Sequence, residues 1–137
     1  MQPTPYLFFN DGRCREAMER YAEVFGGSVT MTMTGADMPV EFPIEDHMKD
    51  WILHSEVTLP GGKLMGSDSF MEPTLPMAGA AVMMSLPTRA DAGRAFERLS
   101  VEGEVTMPFN KSSWSAGFGM LTDRYGIRWM ISCDEAP

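Results

Sequence analysis

With 137 residues, 44% of them hydrophobic and 22% charged, the chain suits one domain with a proper core, and neither a disordered nor a membrane segment. A formal net charge of −8 and only three scattered lysines (Lys49, Lys63, Lys111) argue against nucleic-acid binding, which needs clustered cations. The start Met1-Gln2-Pro3-Thr4-Pro5 has no basic, then apolar, leader pattern, and no apolar run approaches bilayer length. The expectation is a soluble cytoplasmic protein with no membrane partner. Cys14 and Cys133 form no CxxC pair and read as two free thiols in a reducing compartment, with a bridge between them left open.

Tyr6-Leu7-Phe8-Phe9 reads as a buried strand stopped by the turn Asn10-Asp11-Gly12. Ala17, Met18, Tyr21, Val24 and Phe25 then recur on one face of a helix, which Gly26-Gly27 ends. Cys14 lies in its first turn, where the dipole can lower a thiol pKa, but with no base in sight it reads as structural. Ser28–Thr34 is strand-like. Residues 35–50 carry Pro39, Pro43 and five acidic side chains and read as a long loop, with His47 solvated.

Trp51–Leu59 alternates: Trp51, Leu53, Ser55, Val57 and Leu59 share one face, and Ile52, His54, Glu56 and Thr58 the other. Pro60-Gly61-Gly62 turns the chain, and Lys63–Ser69 returns. After a connector, Met71–Gly79, the order repeats. Ala80–Leu86 is a strand. Thr88 and Asp91 resemble a capping box before a helix whose face is Ala92, Ala95, Phe96 and Leu99. Glu104–Phe109, Phe118–Thr122 and Ile127–Ser132 complete it, the last two joined at Asp123-Arg124-Tyr125-Gly126. The fold class is therefore α+β: two βαβββ modules, about 1–70 and 79–135, within one domain spanning 1–137. Helices cover one sheet face, and the other is left for a partner or a cleft.

His54 and Glu56 are the best polar pair. Two apart on a strand, they share a face about 7 Å apart at the backbone. They read as a hydrogen-bonding or acid–base pair for a small polar ligand, as two metal ligands, or as a satisfied polar pair or dimer contact. Alternation puts Tyr6, Phe8, Met65, Ser67, Met83, Ser85, Arg128 and Met130 on the same open faces, an apolar lining with a few polar points. Methionine as gap filler is the competing reading, with fourteen in the chain. Arg128 could hold a carboxylate or phosphonate, or be an exposed strand-end arginine. Trp114 could close a pocket by stacking or sit in a dimer interface.

The series Pro5-Tyr6-Leu7-Phe8-Phe9, Ala17-Met18-Glu19-Arg20-Tyr21, Val24-Phe25-Gly26-Gly27, His54-Ser55-Glu56-Val57, Leu64-Met65-Gly66-Ser67-Asp68-Ser69 and Asp123-Arg124-Tyr125-Gly126-Ile127-Arg128-Trp129 resembles the PhnB-like branch of the vicinal-oxygen-chelate (glyoxalase/bleomycin resistance/dioxygenase) superfamily. The likeness runs over nearly the whole chain, and its order and spacing carry it. It implies two curved sheets around a cupped cavity with the helices outside, and a homodimer. Members of this branch are often called demethylubiquinone methyltransferases, yet no glycine-rich adenosyl turn follows the first strand here. In metal-dependent members, His, Gln or Glu side chains from the first and last strands of the modules hold a divalent ion. Tyr6, Ala81 and Met130 stand at such positions, and none suits a hard or borderline metal. The expected function is thus a small-molecule-binding protein whose ligand site is drawn from Tyr6, His54, Glu56, Met65, Trp114, Arg128 and Met130, with no cofactor and no assigned catalytic residue. The alternatives are a metal-dependent lyase, isomerase or dioxygenase-like enzyme using His54 and Glu56, and a drug-sequestering resistance protein.

Overall fold

Strand β1, Tyr6–Phe9, buries Leu7 and Phe9 and exposes Tyr6 and Phe8, the alternation of a strand covered on one side only. Asp11 and Gly12 turn the chain with positive φ into helix α1, Cys14–Phe25. The helix buries Cys14, Ala17, Met18, Tyr21 and Ala22, so its inward stripe is rotated from the expected one: Val24 and Phe25 are only half-buried. Gly26 at φ 70° closes it, and the Gly27 N–H returns to the Ala22 carbonyl at 2.8 Å. Strand β2, Ser28–Thr34, follows, then β3, Ile52–Leu59, and β4, Gly62–Asp68. Leu59 pairs with Gly62, so the β3–β4 hairpin closes on Pro60-Gly61 alone. The long segment between β2 and β3 is not wholly irregular, since it holds two 3-10 turns, Gly35–Asp37 and Asp46–Met48.

The second half repeats this. Strand β5, Val82–Leu86, leads to helix α2, Arg89–Ser100, then β6, Glu104–Asn110, β7, Phe118–Thr122, and β8, Arg128–Cys133. Thr88 caps α2 by accepting the Asp91 N–H at 3.0 Å. The other half of the expected box is replaced, because the Asp91 carboxylate pairs with Arg94. Pro108 is tolerated in β6 because that strand is a sheet edge with two irregularities against β7.

The computed structural model describes residues 1–137, which form two compact units, Met1–Leu75 and Pro76–Pro137. Each holds one four-stranded mixed sheet, ordered β1-β4-β3-β2 in the first and β5-β8-β7-β6 in the second. The first pair in each is parallel and the other two are antiparallel. The two βαβββ modules and the α+β class expected from the sequence are thus present. In the first unit α1 covers a core of Leu7, Phe9, Tyr21, Val57 and Leu64. In the second α2 covers Leu121, Trp129 and Ile131. Both cysteines are free and buried. The Cys14 thiol is pushed up by burial and by the neighbouring Asp68 charge, opposite to the lowering a helix N-terminus can give.

Strand β3 departs from simple alternation near its start. Met33 pairs with His54 but Thr34 pairs with Ile52, which leaves Leu53 as an extra residue in β3. Side-chain parity switches there. Ile52 is buried with Ser55 and Val57, where the sequence pattern puts it beside His54. Trp51 precedes the strand and meets Phe70 with ring centroids 5.8 Å apart.

Candidate functional site

The register aligns one side chain from each strand into a row across the open face of each sheet. In the first unit the row is Met31–Glu56–Met65–Tyr6. In the second it is Met107–Met120–Met130–Met83, four thioethers side by side. Neighbouring strands are about 4.8 Å apart, so each row is a continuous strip. The topology is shared and the chemistry is not: only the first sheet carries ionisable groups in its row.

Tyr6 and Glu56 of that row are joined through His54 in a chain of hydrogen bonds that ends on Lys63. Tyr6 Oη lies 2.9 Å from His54 Nδ1. His54 Nε2 lies 3.0 Å from Glu56 Oε2. Lys63 Nζ donates to Glu56 Oε1 at 3.0 Å. Lys63 pairs with Thr58, so its side chain reaches back diagonally to Glu56, a contact set by the short hairpin. The chain runs from an exposed phenol, through two mostly covered groups, to a half-exposed ammonium.

Chemistry orders this chain. Hydrogen bonds from His54 first, and then from Lys63, hold the Glu56 carboxyl below its ordinary value of 4.5. Glu56 is therefore a carboxylate at neutral pH and can only accept. That makes His54 Nε2 the N–H; on a singly protonated ring Nδ1 is then bare, and the Tyr6 hydroxyl hydrogen turns toward it. Because the Glu56 pKa is lowered on folding, its contribution to stability is present above 4.5 and is lost only as the pH falls through the lowered value. The phenol ring also stacks on the imidazole, with centroids 5.6 Å apart and planes 23° apart, and tilts against Phe8 at 5.2 Å.

The other sequence-derived residues are dispersed. Met65 shares the row with Tyr6 and Glu56. Met130 sits in the thioether row of the second unit. Arg128 begins β8, and its backbone N–H donates to Met77 Sδ at 3.3 Å. Trp114 is exposed and meets Phe118 edge-on at 5.1 Å. His47 lies 3.2 Å from Glu45 and edge-on to Trp51, so it is engaged as well as solvated.

Two groups that the family likeness suggests can be tested against these residues. For a divalent ion, the first and last strands of the modules offer Tyr6 paired with Met65, and Met83 paired with Met130. Ala81 precedes β5, so Met83 replaces it as the position opposite Met130. One phenol and three thioethers do not fit a hard or borderline divalent metal. His54 and Glu56 spend their facing atoms on each other, and no cluster of three His, Cys, Asp or Glu occurs. For an adenosyl group, the β1–α1 turn is filled. A Cβ at Gly12 would lie 2.6 Å from Trp51 Nε1, and Asp68 Oδ1 already accepts the Cys14 N–H at 3.0 Å. That turn does not fit a nucleoside.

The 3-demethylubiquinone-9 3-methyltransferase family matches residues 1–132. The chain belongs to that family, the PhnB-like branch named above. Protein PA1353 of Pseudomonas aeruginosa is 36% identical, with 98% of each chain covered and a TM-score of 0.88. A PhnB protein from Bacillus cereus is 23% identical over 97% of this chain and 99% of its own, with a TM-score of 0.80. Protein YjdN of Escherichia coli K12 is 26% identical over 96% of this chain and 95% of its own. A glyoxalase/bleomycin resistance protein/dioxygenase domain from Frankia, 12% identical with a TM-score of 0.63 and covering 100% of this chain and 99% of its own, shares the fold. No helix of this PhnB-like chain is long and apolar enough to cross a membrane.

Proposed function

We propose that this PhnB-like protein is a small-molecule-binding protein without the superfamily's usual divalent metal site. Its ligand lies on the open face of the first sheet. The observation that carries the reading is the Tyr6–His54–Glu56 chain set among exposed Phe8 and Met31 and half-buried Met65. Apolar area with a few convergent polar atoms is how small-molecule sites are built. With the Glu56 charge balanced by Lys63, the face favours an uncharged, partly aromatic molecule bearing one hydrogen-bonding oxygen. The reading includes a homodimer, as the family likeness implies, and takes the cytoplasm as its location.

The methionines supply the test. In protein labelled at the methionine methyl carbons, hydroxylated and carbonyl-bearing aromatic fragments are expected to move the Met31, Met33 and Met65 resonances. His54→Ala should weaken the best fragment about tenfold, the value of one good hydrogen bond. A library that moves none of these methyls, or fragments indifferent to His54→Ala, would overturn the assignment.

A further inference from the structure

We propose that Tyr6, His54 and Glu56 form a proton relay whose working atom is the Tyr6 phenol oxygen. It acts as a general base toward an uncharged aromatic molecule carrying an acidic O–H, or a C–H next to a carbonyl. The proposal takes its location from the binding site proposed above and adds an activity to it.

The geometry has the three parts of an activated hydroxyl: the hydroxyl, a base 2.9 Å away, and a carboxylate 3.0 Å from the base's other nitrogen. Lys63 holds the far oxygen of that carboxylate, fixing Glu56 as an acceptor. The imidazole is thus locked in the tautomer that receives a proton from Tyr6. Tyr6 is also the one member of the triad presented to solvent, at 40% exposure, with the Phe8 ring beside it to stack an aromatic substrate.

The step balances within the relay. A substrate X–H gives its proton to the Tyr6 oxygen as the phenol proton passes to His54 Nδ1. The products are X⁻, an intact Tyr6 phenol and an imidazolium paired with the Glu56 carboxylate. The proton returns by the same path to the product or to water. Tyr6 touches substrate, His54 holds the proton, and Glu56 and Lys63 are positioning residues.

The test needs no known substrate. Benzenesulfonyl fluoride reacts at a phenol oxygen: the S–O bond forms, the S–F bond breaks, fluoride leaves, and the phenol proton goes to His54. Peptide mapping by mass spectrometry reads the rate at each tyrosine. Tyr21, fully buried, and Tyr125, half-buried, are internal references, and N-acetyltyrosinamide is the solution reference. Tyr6 is expected to label about 100-fold faster than N-acetyltyrosinamide, the lower range for a positioned base. His54→Gln keeps an acceptor for the hydroxyl but no proton acceptor, and should fall to the reference rate. Glu56→Gln should slow labelling about tenfold, the value of one good hydrogen bond. Added imidazole should restore labelling to His54→Ala, which a purely structural role for His54 does not predict. Labelling of wild-type Tyr6 at the reference rate, or undiminished labelling in His54→Gln, would overturn the relay. The methyl shifts described above judge ligand binding separately, so the two readings fail independently.

Discussion

Asp123→Ala is expected to destabilise the second unit by at least about 3 kcal/mol, because it orphans three buried or half-buried donors at once. One carboxylate oxygen accepts the Tyr125 N–H at 2.9 Å and the Ile127 N–H at 3.0 Å. The other accepts the Trp129 indole N–H at 2.8 Å. Trp129 has no exposed surface, so its N–H cannot turn to water instead. The turn into β8 and the largest fully buried side chain therefore hang on one residue. Asp123→Asn should cost less, about 1–2 kcal/mol. Its amide oxygen can serve the two backbone groups, while its NH₂ would face the indole N–H. Urea unfolding followed by tryptophan fluorescence measures both. Equal midpoints for Asp123→Ala and the parent would remove this account of the β7–β8 turn.

Gly27→Ala and Gly103→Ala should each cost about 3 kcal/mol, the upper range for forcing atoms into filled space. Each glycine follows the helix of its unit. A Cβ at Gly27 would overlap the Thr58 carbonyl of β3, and one at Gly103 would overlap the Thr122 carbonyl of β7. Backbone oxygens cannot swing aside as a side-chain tip can, so the helix exit must move off the sheet. The same close approach recurs in both modules, which ties these glycines to the repeat and not to local accident. Gly61→Ala is the control: its Cβ would meet nothing within 4 Å, and its effect should stay within about 0.5 kcal/mol. Thermal unfolding of the three variants separates these expectations.

Much of the scaffold is legible in the residues because burial imposes a period. Leu7 and Phe9 against Tyr6 and Phe8, or Trp129 and Ile131 against Met130, announce which face meets a helix. The same logic puts His54 and Glu56 together. What sequence cannot carry is register. An extra residue leaves no mark in a two-residue period, so the bulge at Leu53, and with it the inward turn of Ile52, is invisible until β2 and β3 are paired. Lys63 joins Glu56 only because the hairpin closes on two residues; one residue more would send its side chain to the other face. Met107 escapes notice because β6 has two irregularities and a proline, which erase its alternation. Ala81 is read as the first-strand position of the second module because strand ends are poorly marked, and β5 begins one residue later.

Long-range capping is equally hidden. The carboxylate at the end of β4 serves the Cys14 N–H, 54 residues earlier in the chain, and the Ile52 N–H at 2.8 Å. Burial raises the Asp68 pKa, and those two backbone donors pull the other way. Ser115, between β6 and β7, is fully buried, and its hydroxyl joins Gly117 and Cys133. A buried serine with that many partners is a tertiary property, and composition does not announce it.

The relay requires His54 to be held as the Nε2–H tautomer, with Nδ1 receiving the Tyr6 hydroxyl and Nε2 serving Glu56. Long-range proton–nitrogen NMR of the His54 ring at neutral pH tests it directly, with Tyr6→Phe and Glu56→Gln as comparisons. A protonated Nε2 and a bare Nδ1 are expected in the parent, with the Nδ1 resonance moving in Tyr6→Phe and the Nε2 resonance in Glu56→Gln. A ring protonated at Nδ1, or one whose nitrogens ignore both substitutions, would contradict it.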